Sequence, residues 1–436
     1  MDKLISATPS LVRDINEMNI LHLIKEHAPI SRIEIAKRIG ISQMAVSRLV
    51  SRLIDKKFVV QDNVGEEIDS KKPRKPVGRQ PTSLYLNKNA AYIVGVDLGR
   101  ETTTIAIADL EGDIAFQESF QTDLRQNRDS MLSAIVEAIH SCLNSLGLSP
   151  ERIIGIGVVL PGYVDARRGM VRTSSSLKGW DNFQVKDFFE VQFNVETLVE
   201  GDFKALTLAE YTLGNGNKCS DMVCLCITDA GPVAGIICNG QLIRGITDSS
   251  GQIGAMQIGY YIKQKTFYKY SHATDDIVFD QIVTPQALVQ SAQNAILQGE
   301  DSILRRHLSK EGKMSISNIL DAANGGDVLS IQLLEQFADI LSLLVIDMIN
   351  ILNSRMLLLY GEMIDDDGIV LKVIRKNVER HFLPLPAHSI SIKPAKLKKD
   401  GYVKGAISLV LNALFTAPRL NQDVFQLAAP MRFLDN

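Results

Sequence analysis

Gln43, Met44, Ser47 and Arg48 fall close together behind Ser42 in the stretch SQMAVSRLV. On a helix laid in the major groove of DNA, a glutamine can pair with adenine and an arginine with guanine or phosphate. A methionine can lie against a thymine methyl, and the serine hydroxyls are small enough to let the helix approach. A second group follows in SKKPRKPVGRQP, where Lys71, Lys72, Arg74, Lys75 and Arg79 stand with no acid from Ser70 to Pro81. Its prolines favour an extended backbone whose cations can follow phosphates or enter a narrow minor groove. A solvated linker has the same composition.

Caps and apolar spacing indicate the elements that must hold these groups. Ile15, Met18, Ile20, Leu21, Leu23 and Ile24 give a first helix its apolar side before Pro29 interrupts it. Ser31 with Glu34 three residues on has capping-box spacing, which predicts a second helix to about Arg38. Gly40 permits a left-handed turn, and Ser42 caps a third helix. There Val46, Leu49, Val50 and Leu53 repeat at i, i+3, i+4, i+7 and define a buried face, leaving Met44, Ser47, Arg48 and Ser51 on the other side. Phe58 to Gln61 and Ser83 to Leu86 alternate as a two-stranded wing would. A winged helix-turn-helix is predicted over 1–84. The alternative is a small helical module that binds protein.

The 436 residues exceed what one core usually serves, and 45% hydrophobic content supports more than one. Net charge is only -3, but residues 1–84 carry 15 Lys and Arg against 10 Asp and Glu, while the rest carries 32 against 40. A basic head on an acidic body predicts a polyanionic partner, double-stranded DNA. Cys142, Cys219, Cys224, Cys226 and Cys238 are odd in number and scattered, as reduced cysteines of a cytosolic protein are. The N-terminal MDKLISATPSLVRD has no apolar signal core, and no stretch is expected to approach a membrane span. The expectation is a cytoplasmic chain with no membrane partner.

After about Ala91 the chain reads YIVGVDLGRETTTIAIADLEG, a hairpin of two apolar runs about a polar turn. IIGIGVVLPGYVD, SSSLKGW, VEGDFKALTLAEYTLGNG and GIICNGQLIRG follow in the order seen in the ROK family, which groups bacterial sugar kinases with transcriptional regulators. The head resembles the helix-turn-helix of that family's repressor branch, so the resemblance spans nearly the whole chain. It implies an α/β fold of the two-lobed actin-like ATPase type shared by sugar kinases, Hsp70 and actin. The first lobe would span 85–200 and the second 201–436, with a C-terminal helix returning to the first and sugar bound in the cleft.

The resemblance carries over unevenly. Asp97 and Gly99 match the first phosphate-loop motif, but Arg100 and Glu101 replace small residues, and a carboxylate there repels a triphosphate. Pro161 and Gly162 match the sugar-side loop. Asp202 falls on the catalytic aspartate that takes the proton of the attacking hydroxyl in the kinases. Around it Gly201, Phe203 and Lys204 replace the Asn-Asp-x-Asn pattern, and Lys204 could pair with Asp202 and lower its basicity. Asp202 could equally be only the cap of a helix starting near Ala205. The adenosine-side glycine loop appears as Asp229, Ala230, Gly231, Pro232, Val233, Ala234, Gly235, where the added charge, the missing N–H and the bulk of valine oppose phosphate. Tight ATP binding is not expected.

The family's zinc histidine is replaced by Ala255 in the run Gly251, Gln252, Ile253, Gly254, Ala255. From Asn239 to Arg306 there is no cysteine and His272 is the only histidine, so neither a structural zinc nor any other metal or cofactor is expected. Cys224 and Cys226 alternate on an apparent strand and are expected in a core. Gln252 replaces a glutamate that contacts sugar hydroxyls. Ile331 to Asn353 reads as a buried helix, Arg355 to Gly361 as a buried strand and Gly401 to Phe415 as the last packing helix, and no internal repeat is evident.

The expected protein is a DNA-binding transcriptional regulator, a repressor of carbohydrate-related genes with no enzymatic turnover. It should work as a homodimer or higher homo-oligomer, because one recognition helix reads only a half-site. A sugar or sugar phosphate would be its effector, held by Pro161, Gly162, Asp202 and Gln252. The alternatives are a sugar kinase that retains phosphotransfer, and a regulator controlled by a protein partner and marked by an exposed apolar patch on the body.

Overall fold

The computed structural model describes residues 9–62, 82–216, 219–258, 278–308, 314–381 and 390–415. The basic run from Lys71 to Arg79 and His272 lie outside the described residues. The chain resolves into two compact units, Met1–Gly201 with Ala406–Asn436, and Asp202–Gly405.

The first unit begins with α1 (Pro9–His27), β1 (Ile30–Ser31), α2 (Arg32–Ile39), α3 (Gln43–Asp55), β2 (Val59–Gln61) and β3 (Ser83–Leu86). β3 is the central strand of a three-stranded wing, with β2 on one side and β1 on the other. The two-residue β1 is an addition to the expected pair of strands. Ile20, Leu21 and Ile24 of α1, Ile35 of α2, Leu53 of α3 and Leu84 of β3 are fully buried and form the core of this head.

Downstream lie β4 (Tyr92–Leu98), β5 (Thr102–Ala108), β6 (Ile114–Gln121), α4 (Arg128–Ser145), β7 (Ile153–Leu160), β8 (Tyr163–Asp165), β9 (Met170–Thr173), β10 (Phe183–Gln184), α5 (Val185–Phe193) and β11 (Thr197–Gly201). The main sheet runs β11-β7-β4-β5-β6, with β4, β5 and β6 antiparallel and β4, β7 and β11 parallel. Parallel strands buried on both faces read as unbroken apolar runs, which is how IIGIGVVL reads. A Cβ on Gly157 in β7 would lie 1.8 Å from the carbonyl oxygen of Ala406, so only glycine lets the C-terminal helix approach the sheet there.

The second unit contains α6 (Asp202–Thr212), β12 (Met222–Thr228), β13 (Gly231–Cys238), β14 (Gln241–Leu242), α7 (Pro285–Leu297), α8 (Ile316–Asn324), α9 (Val328–Leu352), β15 (Met356–Tyr360), α10 (Ile369–His381), β16 (Ser391–Pro394) and the start of α11 (Gly401–Phe415). Its sheet runs β14-β13-β12-β15-β16. Three antiparallel strands followed by two parallel ones is the topology of the first unit again, a repeat of architecture that the residues do not display.

One expectation needs correcting. At 25 residues, α9 is long and apolar enough to cross a membrane by length and composition. It packs against α7, α8 and α10, and Leu333, Phe337, Leu341, Leu344 and Val345 are buried within the core of the second unit. Its apolarity on most sides reflects neighbours on most sides.

Candidate DNA-reading face and ligand-side turns

The backbone at both ends of α2 is held as the caps require. Ser31 Oγ accepts from the Glu34 amide at 3.2 Å while the Ser31 amide donates to Glu34 Oε2 at 3.0 Å. Gly40 has φ +79°, and its amide donates to the Ala36 carbonyl at 3.0 Å. One residue beyond the turn, Ser42 Oγ accepts from the Ala45 amide at 3.2 Å and starts α3 at Gln43. Val46, Leu49, Val50 and Leu53 are then buried together.

That burial fixes what faces outward. Ser42, Gln43, Met44 and Arg48 are exposed, and Ser47 is half-buried beside them. Met44 is 76% exposed. A thioether left in water at the start of a helix, between a glutamine and an arginine, suits contact with a base methyl group. The other end of α3 is anchored by Arg52, whose Nε lies 3.4 Å from Glu17 Oε1 on α1. Glu17 is 1% exposed, and burial pushes its carboxyl above the usual range, the nearby Arg52 charge opposing the rise.

In the first lobe, Asp97 lies half-buried one residue before the end of β4, and a Cβ on Gly99 would meet the Thr102 carbonyl at 2.5 Å. Arg100 and Glu101 are exposed at the hairpin tip. Pro161 is buried and its carbonyl accepts from Ser174 Oγ at 2.7 Å. Gly162 has φ +132°, with the Thr173 carbonyl 2.7 Å from where a Cβ would stand. The position therefore admits only glycine.

In the second unit, α6 begins at Asp202 itself, three residues earlier than the capping alternative placed it, and Asp202 Oδ1 accepts from the Phe203 amide at 2.8 Å. Lys204 is 4% exposed, lies over the Phe203 ring and donates from Nζ to the Asp248 carbonyl. Asp248 is buried at φ +55°, a conformation that ordinarily favours glycine. Gln252 opens the short helical turn Ile253–Ala255, half-buried, and the Phe203 ring lies 3.5 Å from the Cβ position of Gly251. The start of α6 and the Gln252 turn thus meet through Phe203, while Pro161 and Gly162 belong to the other unit.

The glycine-loop remnant forms the β12–β13 hairpin. Pro232 pairs with Ile227 and Val233 with Cys226 in its ladder. Thr228 Oγ1 accepts from the Ala230 amide at 3.2 Å and donates to the Gly231 carbonyl at 2.8 Å, so the turn satisfies itself. Cys224 and Cys226 are buried with their sulfurs 4.0 Å apart. The contact with Cys224, followed by burial, pushes the Cys226 thiol up, and burial does the same to the Tyr402 phenol. Both groups stay neutral near neutral pH, unlike a thiolate ligand or a nucleophile. Ala255 is exposed. Asp248 escaped sequence reasoning, because it matters through Lys204, a neighbour 44 positions away in the chain.

Residues 93–413 match the model of the ROK family, and residues 13–60 match that of winged helix-turn-helix DNA-binding domains. The xylose repressor of Bacillus spizizenii is 26% identical over 406 residues, covering 93% of this chain and 97% of the repressor. A ROK family transcriptional regulator described as a homologue of the E. coli MLC protein superposes with a TM-score of 0.78 at 22% identity, over 93% of this chain and 97% of its own. A ROK family glucokinase from Streptomyces griseus, solved with glucose and AMPPNP, superposes at 0.56 and 22% identity, over 73% of this chain and 99% of its own. The fold is a winged helix-turn-helix followed by a two-lobed, actin-like sugar-kinase body.

Proposed function

The chain belongs to the ROK family, and we propose that it is a DNA-binding transcriptional repressor of carbohydrate genes whose kinase-like body assembles as a homodimer and receives a sugar or sugar-phosphate effector without phosphorylating it. The observation that carries this reading is the outward face of α3, where Gln43, Met44 and Arg48 are exposed on a helix whose opposite face is buried. The name of the Bacillus relative supports a sugar-linked operon. At 26% identity it does not choose the sugar. Loss of catalysis is supported by Pro232, which brings no N–H to the remnant phosphate loop, and by Thr228, which takes the amide of Ala230.

The effector would act by population shift, binding more tightly to chains whose heads are wrongly placed for two half-sites. Pro161, Gly162, Asp202 and Gln252 are the residues we assign to it, and Lys71, Lys72, Arg74, Lys75 and Arg79 are assigned to phosphate. The site of action is the cytoplasm, where the DNA is. A second reading, control by a protein partner, draws on Ile303 and Val328, which are 49% and 65% exposed on the body and flank Asp327.

Genome-wide mapping of bound DNA tests the proposal, with release of that DNA by a panel of neutral and phosphorylated sugars as the second arm. Enrichment beside sugar-uptake genes, with release by one sugar, is expected. Product formed from ATP and any sugar of the panel, and lost in Asp202→Asn, would overturn the non-enzymatic reading. DNA release by a protein extract and by no sugar would favour the second.

A further inference from the structure

β3 ends at Leu86 and β4 begins at Tyr92, so the chain passes from the DNA-reading head into the first lobe through residues 87–91. A connector of this length without bonds to its neighbours behaves as a short coil. Here it is bonded on both sides. Toward the head, the Asn87 amide donates to the Phe58 carbonyl at 2.9 Å and Asn87 Nδ2 donates to the Lys57 carbonyl at 2.8 Å. Toward the body, Lys88 Nζ stands 3.2 Å from Asp109, 3.1 Å from Asp113 and 3.9 Å from Glu111, all on the β5–β6 turn. The Lys88 carbonyl accepts from the Leu110 amide of the same turn at 3.0 Å.

The seat is also bonded within itself. Asp109 is 4% exposed, and its Oδ1 accepts from the amides of Glu111 and Asp113, both at 3.0 Å. The remaining junction residues add to it: the Asn89 carbonyl accepts from Arg152, and the Ala90 amide donates to the Asn87 carbonyl at 3.0 Å. A separate contact ties the first helix down, with Lys25 Nζ 4.1 Å from the centre of the Phe415 ring at the end of α11. None of these residues faces outward with Gln43, Met44 and Arg48.

We propose that Asn87 and Lys88 are positioning residues for DNA reading: they seat the head on the Asp109–Asp113 turn, so that a pair of chains presents two recognition helices at a fixed separation. This rests on the reading that two chains engage two half-sites. When both heads are held at the spacing of the site, the second contact is intramolecular and its effective concentration is high. Loosening the seat spreads the heads over many separations and removes that advantage without altering either reading face.

The test uses the full chain and a duplex enriched from a random pool by the wild-type protein, prepared with both half-sites and with one. Lys88→Ala, which removes an exposed ammonium, should weaken binding to the two-half-site duplex roughly ten-fold or more while leaving the single half-site unchanged. Lys88→Arg should restore it. Hydrogen exchange should show faster amides at Asn87, Ala90 and Leu110 in Lys88→Ala, and Asn87→Ala should repeat both effects. Equal weakening on the two duplexes, or none on either, overturns the positioning role. A wild-type protein that binds both duplexes equally would instead refute the paired-chain reading, and the proposal with it.

Discussion

Replacing Arg52 by alanine should loosen the recognition helix in a way that depends on pH. Glu17 is buried on α1, and Arg52 is the cation that most opposes the rise of its carboxyl, 35% exposed and 3.4 Å away. Breaking a fully buried pair costs about 3 to 5 kcal/mol, and an exposed pair contributes at most about 1 kcal/mol. Arg52 is a third exposed, and Lys56 and Arg13 still bear on Glu17 when it is gone. An intermediate loss of about 2 kcal/mol at pH 7.5 follows. Losing the Arg52 charge, which opposes the rise caused by burial, moves the Glu17 carboxyl further up.

The sign follows from the direction of the shift. Burial already raises the Glu17 carboxyl above 4.5, so its contribution to folding is fullest below that value and is lost as pH climbs through the raised one. Arg52→Ala should therefore be costly at pH 7.5 and nearly silent near pH 4. Glu17→Gln should be neutral or stabilising at pH 7.5, and Glu17→Gln with Arg52→Ala should recover most of the loss. Hydrogen exchange of α1 and α3 amides in the full chain, corrected for intrinsic rates, reads all three variants. An equal loss at both pH values, or a double variant as loose as Arg52→Ala alone, would refute the buried-charge argument.

Two predictions concern DNA directly. Arg48→Ala should weaken the enriched duplex by about 1 to 3 kcal/mol and leave random DNA unchanged; an equal loss on both, measured by titration at fixed salt, would deny it a base. Changing Lys71, Lys72 and Arg74 to glutamine should weaken all duplexes alike and lower the slope of log affinity against log salt by about 0.9 for each phosphate no longer neutralised; an unchanged slope would mark the run as a solvated linker.

The head was the most legible part because its signals are local. A cap and its amide lie three residues apart, as Ser31 and Glu34 or Ser42 and Ala45 do, and an i, i+3, i+4, i+7 face is visible in one line of sequence. β1 was missed because two residues carry no alternation. In the body, the unbroken apolar runs marked strands, but nothing in them disclosed that both units share one strand order. Strand order is set by hairpins and crossovers and leaves residue identity free. The ligand-side contacts were least legible. Lys204 reaches Asp248 across 44 positions and Glu210 accepts from Leu397 across 187, and no spacing rule connects such pairs.

The glycines of the eroded loop show why motif survival is poor evidence for surviving chemistry. Gly231 and Gly235 match the family's phosphate-binding pattern, and their persistence would ordinarily favour a working kinase. In the fold each has another cause. A Cβ on Gly231 would stand 1.8 Å from Asp280 Oδ1, and one on Gly235 would stand 1.8 Å from Thr207 Oγ1. Gly254 faces the same Asp280 oxygen at 1.6 Å, and Gly251 faces the Ala234 carbonyl at 1.7 Å. A side chain at any of these positions would force β13, α6 or the Gln252 turn apart, whether or not a nucleotide ever entered. Positions that have room for a side chain are the ones that changed: Val233 sits half-buried in the ladder against the core, and Ala255 is exposed at the end of its turn. The pattern left behind is therefore the part of the motif that the body needs in order to fold, and it carries no weight for phosphotransfer.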